Sequence, residues 1–211
     1  MKITKYGHAC LVVEQGAERL ILDPGFYTED LPEVSNVSVI LITHQHDDHC
    51  YEPQLDRILA ANPDAKIFGP DEVVKRLGGY PATAVHHGDL HVVGEFTIEF
   101  FGDLHAEIHR SYPLVQNTAV MINDTLYYPG DSFTRPDRPV AVLACPTSAP
   151  WLKIGEVMDF VAEVKPRRSF ATHNALLSDK GHALNNGRVK AVTEQGGGEF
   201  TYLLDGQSLE V

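Results

Sequence analysis

Two hundred and eleven residues, 43% of them hydrophobic, supply one sizeable core and fall short of two well-filled ones, so a single domain over residues 1–211 is expected. The formal net charge of −12 and the lack of a basic stripe exclude a nucleic-acid backbone as the natural partner and favour a small-molecule substrate. No apolar run approaches the length of a bilayer span and Glu14 interrupts the first one, so the chain reads as soluble and cytoplasmic, with no signal peptide, anchor or membrane partner.

The three cysteines, Cys10, Cys50 and Cys145, are odd in number and widely spaced, which argues against a disulfide framework or a zinc ribbon. Cys50 reads best as a small buried apolar filler.

In chain order, KITKY, ACLVVE and RLILD over residues 2–23 read as three short strands with a turn near Gln15-Gly16, the third stopped by Asp23-Pro24-Gly25. His8 falls between the first two. FYTEDLPEVSN, residues 26–36, is an aperiodic loop whose Phe26 and Tyr27 suit either a substrate wall or a core edge. VSVILITHQHDDH, residues 37–49, then runs from a continuous apolar strand, of the kind buried on both faces, into three histidines and two aspartates. A strand's C-terminal end is where ligand sites gather in α/β sheets. His44, His46, Asp48 and His49 put imidazoles and a carboxylate on one tight turn, a donor set suited to zinc, manganese, iron or nickel.

Leu55, Ile58 and Leu59 mark a helix ending before Asn62-Pro63, AKIFG a strand, and PDEVVKRLGG a short helix with Pro70 in its first turn. Strands follow over residues 82–101, and His86, His87 and His91 among them have no ligand-like spacing. Residues 102–117 form a long aperiodic segment that contains His105, His109 and Arg110, and loops of that length in a folded domain are usually functional or disordered. TAVMIN and TLYYP form a hairpin about Asn123-Asp124 and deliver Gly130-Asp131-Ser132 to a strand end. PVAVLAC is a buried strand, Ile154, Val157, Met158 and Val161 mark an amphipathic helix, and RSFATH is a strand ending in His173. A helix is expected from about Ala183 to Glu194, and EFTYLLDG with QSLEV as a closing hairpin. The loops that hold Trp151 and Lys153 are expected to open near the site. Two halves repeat one plan: RLILDPG with TLYYPGD, VSVILITH with PVAVLACP, and AKIFG with RSFATH.

Thr43 to His49, T-H-x-H-x-D-H after a hydrophobic strand, resembles the signature of the metallo-β-lactamase-fold hydrolases. Gly7-His8, His105, Gly130-Asp131 and His173 follow the family's order over most of the chain. The resemblance implies an α/β (α+β) fold, the four-layer αββα sandwich. It also implies two divalent cations, zinc first, with manganese, iron and nickel also suited. His44, His46 and His105 would belong to the first cation, Asp48, His49 and His173 to the second, and Asp131 would bridge them. Such a bridge holds cations roughly 3.5–4 Å apart around a shared hydroxide formed near neutral pH. Asp48 would act catalytically by orienting that nucleophile or taking its proton. His109 shares the loop of His105 and is the competing third ligand of the first cation, with His105 nearer the sheet edge. His8 would support the site or be purely structural.

No cysteine stands where zinc β-lactamases use one as a ligand, so penicillin-type hydrolysis is not expected. The short chain most resembles compact, lactonase-like members of the ascorbate-6-phosphate lactonase type. The expectation is a dinuclear hydrolase of an ester, lactone or phosphodiester; an iron-dependent oxidoreductase on the same fold and a non-catalytic metal-binding module are the competing readings. Oligomeric state is left open.

Overall fold

The short apolar strands assemble, in the computed structural model, which describes residues 1–29 and 31–211, into two seven-stranded sheets packed face to face. The first sheet contains β1 (Lys2–Tyr6), β2 (Cys10–Gln15), β3 (Glu18–Leu22), β4 (Val37–Leu41), β5 (Lys66–Gly69) and β6 (Ala82–Ala84). The second contains β7 (Leu90–Val93), β8 (Phe96–Phe101), β9 (Ala119–Ile122), β10 (Leu126–Tyr128), β11 (Val142–Pro146), β12 (Arg168–Thr172) and β13 (Glu199–Phe200). The last strand, β14 (Ser208–Glu210), returns to the first sheet beside β1.

Both sheets follow one pairing plan. From β14 through β1 and β2 to β3 the pairs are antiparallel, and from β3 through β4 and β5 to β6 they are parallel. The second sheet repeats this strand for strand from β7 to β13. The internal repeat expected from the sequence is therefore present, with a permutation: the outer strand that β7 supplies to the second sheet is supplied to the first by the chain's last strand.

Inner faces of the two sheets form a common core, with Ile3, Leu11, Leu20 and Val39 meeting Phe96, Phe100, Val120 and Phe170. Outer faces are covered by helices, because parallel strands joined by crossovers need apolar cover on both sides. Leu55 and Ile58 of α1 (Glu52–Ala61) and Val73 of α2 (Asp71–Arg76) pack on Val12, Ile21, Ile40 and Ile67. Val157, Phe160 and Val161 of α3 (Ile154–Val164) and Val189 of α4 (Asp179–Gln195) pack on Met121, Tyr127 and Leu143. The layers run helix, sheet, sheet, helix, the αββα sandwich. Cys50 lies in the helix-covered cluster of the first sheet, and burial pushes its thiol up to about 12, in keeping with a filler role. Among the described residues no helix is long and apolar enough to cross a membrane.

Two expectations are corrected. EFTYLLDG and QSLEV do not form a hairpin: Glu199 and Phe200 pair in parallel with Arg168 and Ser169, whereas Ser208–Glu210 pairs antiparallel with Lys2–Thr4 across the sandwich. An uncovered β1 would present an unpaired edge, and Leu209 gains burial in the shared core by covering it. α4 begins at Asp179, four residues before the expected Ala183, because the Ser178 hydroxyl accepts a hydrogen bond from the Gly181 amide and caps the helix. The loop expected over 26–36 is a loop in its described part, and Asp30 lies outside the described residues.

Candidate metal centre

Parallel strands end together at one rim, and the chain turns sharply as it leaves them. Asp23 after β3 and His173 after β12 adopt φ of 43° and 53°, and Gly130 after β10 adopts 59°. A Cβ on Gly130 would stand 2.5 Å from Asn117 Oδ1 and 2.8 Å from Thr43 Cβ, so glycine lets the Asp131 turn press against the histidine strand. Asn117 fixes that turn, accepting from the Asp131 amide at 2.9 Å and donating to the Pro129 carbonyl at 3.0 Å. The Thr118 amide donates to the Thr43 carbonyl, joining the two sheets at the same point.

Six histidines and two aspartates converge there. Ligating atoms of His44, His46 and His105 lie within 4.8 Å of one another, as do those of His44, His49 and Asp131, and those of His8, Asp48 and His173. Asp131 is central: Oδ1 is 3.3 Å from His49 Nε2, and Oδ2 is 3.4 Å from His105 Nε2 and 3.0 Å from His173 Nε2. Asp48 Oδ2 is 3.4 Å from His173 Nε2, 3.8 Å from His49 Nε2 and 3.5 Å from His8 Nε2. All seven residues expected as ligands are thus brought to one place. His8 joins them as well, beside Asp48 and His173.

The hydrogen bonds on the far side of each ring decide which nitrogen carries the proton. His49 Nδ1 donates to Asp23 Oδ2 at 2.7 Å, His105 Nδ1 to the Ala106 carbonyl and His173 Nδ1 to the Ser148 carbonyl, both at 2.5 Å. Thr43 Oγ1 gives its proton to Asp23 Oδ2 and so accepts from His44 Nδ1 at 3.0 Å. In the neutral ring each of these leaves the Nε2 lone pair free. The Nε2 atoms of His44, His49, His105 and His173 and Oδ1 of Asp131 are buried and form no hydrogen bond within the protein. Lone pairs gathered in the interior without donors fit a cation and are costly without one. The donor set therefore suits divalent metal, of the nitrogen- and oxygen-loving class.

His8 has the opposite tautomer. Its Nδ1 accepts from the Ala175 amide at 3.1 Å, which puts the proton on Nε2, facing Asp48. A protonated ring nitrogen cannot ligate, so His8 donates towards Asp48. Burial pushes its pKa down to about 4, the pull of Asp48 notwithstanding, which keeps the ring neutral.

Charge in the site follows from the same geometry. Burial alone would raise Asp131 and Asp48, but the surrounding imidazoles, led by His173 and His49 for the first and by His49 for the second, hold both well below the usual carboxylate range. Burial opposes a proton on His173, yet Asp131 raises that ring to about 9. Metal uptake must displace such protons, so binding and proton release are coupled.

Three further groups support the cluster. Asp23, read only as a strand stop, accepts from the Thr43 amide and hydroxyl and from His49, and so sets two rings at once. Trp151 was expected in a loop near the site; its ring is buried and Nε1 donates to Asp131 Oδ2 at 2.8 Å. α2 ties the two histidine loops together: Glu72 Oε2 accepts from the Gln45 side chain and the Gln116 amide, while Arg76 bonds the Gln45 carbonyl, Asp47 and Glu52. Ser132 donates to the Pro129 carbonyl and has a structural part. His86 pairs with Asp71 on the surface, and His91 lies against Phe68, both away from the cluster.

Gly25 makes the closest approach. A Cβ there would stand 1.7 Å from the Asp48 carbonyl oxygen and 2.6 Å from the His49 amide nitrogen. Gly25→Ala is expected to push the Asp48-His49 backbone aside, costing about 1–3 kcal/mol of stability and lowering metal content. Gly155→Ala, in open space on α3, should leave both unchanged. Calorimetry with elemental analysis of the two variants checks the contrast, and equal behaviour would refute it.

A family model described as Beta-lactamase superfamily domain matches residues 2–173. Protein Rv0786c of Mycobacterium tuberculosis is 36% identical over 198 residues, covering 92% of this chain and 93% of its own. The UPF0173 metal-dependent hydrolase YtkL of Bacillus subtilis is 31% identical over 104 residues, 47% of this chain and 43% of its own. The metallo-beta-lactamase fold protein YhfI of Bacillus subtilis superposes with a TM-score of 0.76 over 100% of this chain and 99% of that one, at 17% identity.

Proposed function

The chain belongs to the Beta-lactamase superfamily domain family, and from that premise we propose that it is a metal-dependent hydrolase working with two divalent cations on a small ester, lactone or phosphodiester. The observation that carries this reading is the convergence of three buried Nε2 atoms, of His49, His105 and His173, on one shared carboxylate, with a ring nitrogen of His44 within 4.8 Å of it and all four tautomers fixed from behind.

His44, His46 and His105 would hold the first cation and Asp48, His49 and His173 the second, with Asp131 between. When bound, such cations supply Lewis acidity towards the scissile group and make a water acidic enough to serve as nucleophile near neutral pH. Asp48 lines the cavity and would orient the attacking water. His8 Nε2 faces Asp48 Oδ2 at 3.5 Å and so favours one direction of the carboxylate. Trp151 Nε1 does the equivalent for Asp131.

His8→Ala is expected to retain both cations while turnover falls about 10–100-fold, the usual cost of losing a ligand's supporting partner. Unchanged kinetics would make His8 purely structural. The function itself is tested by reconstituting the protein with zinc and assaying neutral esters, lactones and phosphodiesters. Hydrolysis of one class that is lost on chelation and regained on adding metal is the expected result. Iron in the purified protein with redox turnover and no hydrolysis would favour the oxidoreductase reading, and binding of metal without any turnover a non-catalytic module.

A further inference from the structure

Resting on the hydrolase reading, we infer that the substrate is an uncharged carboxylic ester or lactone with an apolar acyl arm, and that the cavity beside Asp48 and His173 receives that arm. This cavity has a volume of about 630 Å³, within the size range of small-molecule sites. Phe26, Tyr27, Ala149, Pro150 and Leu176 wall it, and it opens directly onto Asp48 and His173. Phe26 is 49% exposed and Leu176 67% exposed. Large apolar side chains left uncovered at the mouth of a polar metal centre mark a surface that a ligand covers. The Phe26 ring is set in place by edge contacts with Tyr27 at 5.4 Å and Tyr51 at 5.2 Å, so little order has to be imposed on binding.

Charge decides against an arm that carries an anionic group. Among the described residues lining the cavity none is Lys or Arg, and the carboxylates there are Asp47 and Asp48. An anionic group beyond the reacting centre is normally held by guanidinium or ammonium groups. Arg76, the cation that touches the lining residue Asp47, is already committed to it and to Glu52. Lys153, in a loop expected to open near the site, has a side chain 85% exposed, leans towards Glu156 and is absent from the cavity walls. In the reaction inferred, water oxygen bonds to the carbonyl carbon and the ester C–O bond breaks. One proton of the water passes to the departing alkoxide and the other is released, giving a carboxylate and an alcohol.

The test is kcat/KM of the zinc-loaded protein for p-nitrophenyl acetate, butyrate and hexanoate, for the hexanoate analogue ending in a carboxylate, and for bis-p-nitrophenyl phosphate. Values should rise about threefold per added methylene, fall at least about tenfold with the terminal carboxylate, and be lowest for the diester. Phe26→Ala should flatten the chain-length series, and Leu176→Lys, at an exposed position, should narrow the penalty for the carboxylate. A flat wild-type series, or preference for the carboxylate-ended ester, overturns the inference. Faster hydrolysis of the diester overturns it and leaves the hydrolase reading standing, whereas turnover of neither class overturns that reading and the inference with it.

Discussion

Asp131→Ala is expected to reduce bound metal from two cations per chain to fewer than one and to lower turnover by at least about 10²–10³. Its two oxygens lie 3.3 Å from His49, 3.4 Å from His105 and 3.0 Å from His173, so one side chain faces rings assigned to both cations. Removing it leaves two like charges with less anion between them and strands the Trp151 N–H in the interior. Asp131→Asn separates the two effects. The amide oxygen still accepts from Trp151 and preserves the shape, but the charge is gone, so this variant should fold like the wild type and still lose metal. Two cations per chain and full activity in both variants would remove Asp131 from the centre.

The second large effect distinguishes two histidines four residues apart. His105 is buried, its amide donates to the Val115 carbonyl, its Nδ1 to the Ala106 carbonyl, and its ring lies 4.9 Å and 4.8 Å from those of His44 and His46. His109 is exposed, and its Nδ1 accepts from the Ser111 amide at 3.2 Å in a local turn. His105→Ala should therefore lose one cation and nearly all turnover, while His109→Ala keeps both cations and its activity. Metal analysis of the two variants side by side checks this. The reverse pattern would mean that the loop over 102–117 presents a different residue to the first cation.

Much of this architecture could be read from residue order because the relevant signals are local. An apolar strand breaking into His44-x-His46-x-Asp48-His49 declares both a buried β4 and a donor-rich turn, and Asn123-Asp124, each with positive φ, declares the hairpin between β9 and β10. The parts that were not legible depend on partners distant in sequence. Asp23-Pro24-Gly25 has the composition of a turn; that its carboxylate orients His49 depends on β3 and β4 lying side by side. Nothing local to residues 199–211 says that one strand joins β12 and the other crosses to β1. Gly181 reads as a helix breaker, yet the Ser178 cap and packing of α4 against α3 and β12 outweigh it. The opposite tautomers of His8 and the other rings follow from backbone groups at Ala106, Ser148 and Ala175, which only the folded chain brings into place.

The claim on which the rest depends is that hydrolysis requires two cations in one centre. Stepwise addition of zinc to the metal-free protein, with ester hydrolysis followed at each step, tests it most directly. Activity should stay low through the first equivalent and reach its plateau at two per chain, with bound metal counted at the same points. Full activity at one equivalent, or activity indifferent to zinc, would contradict it.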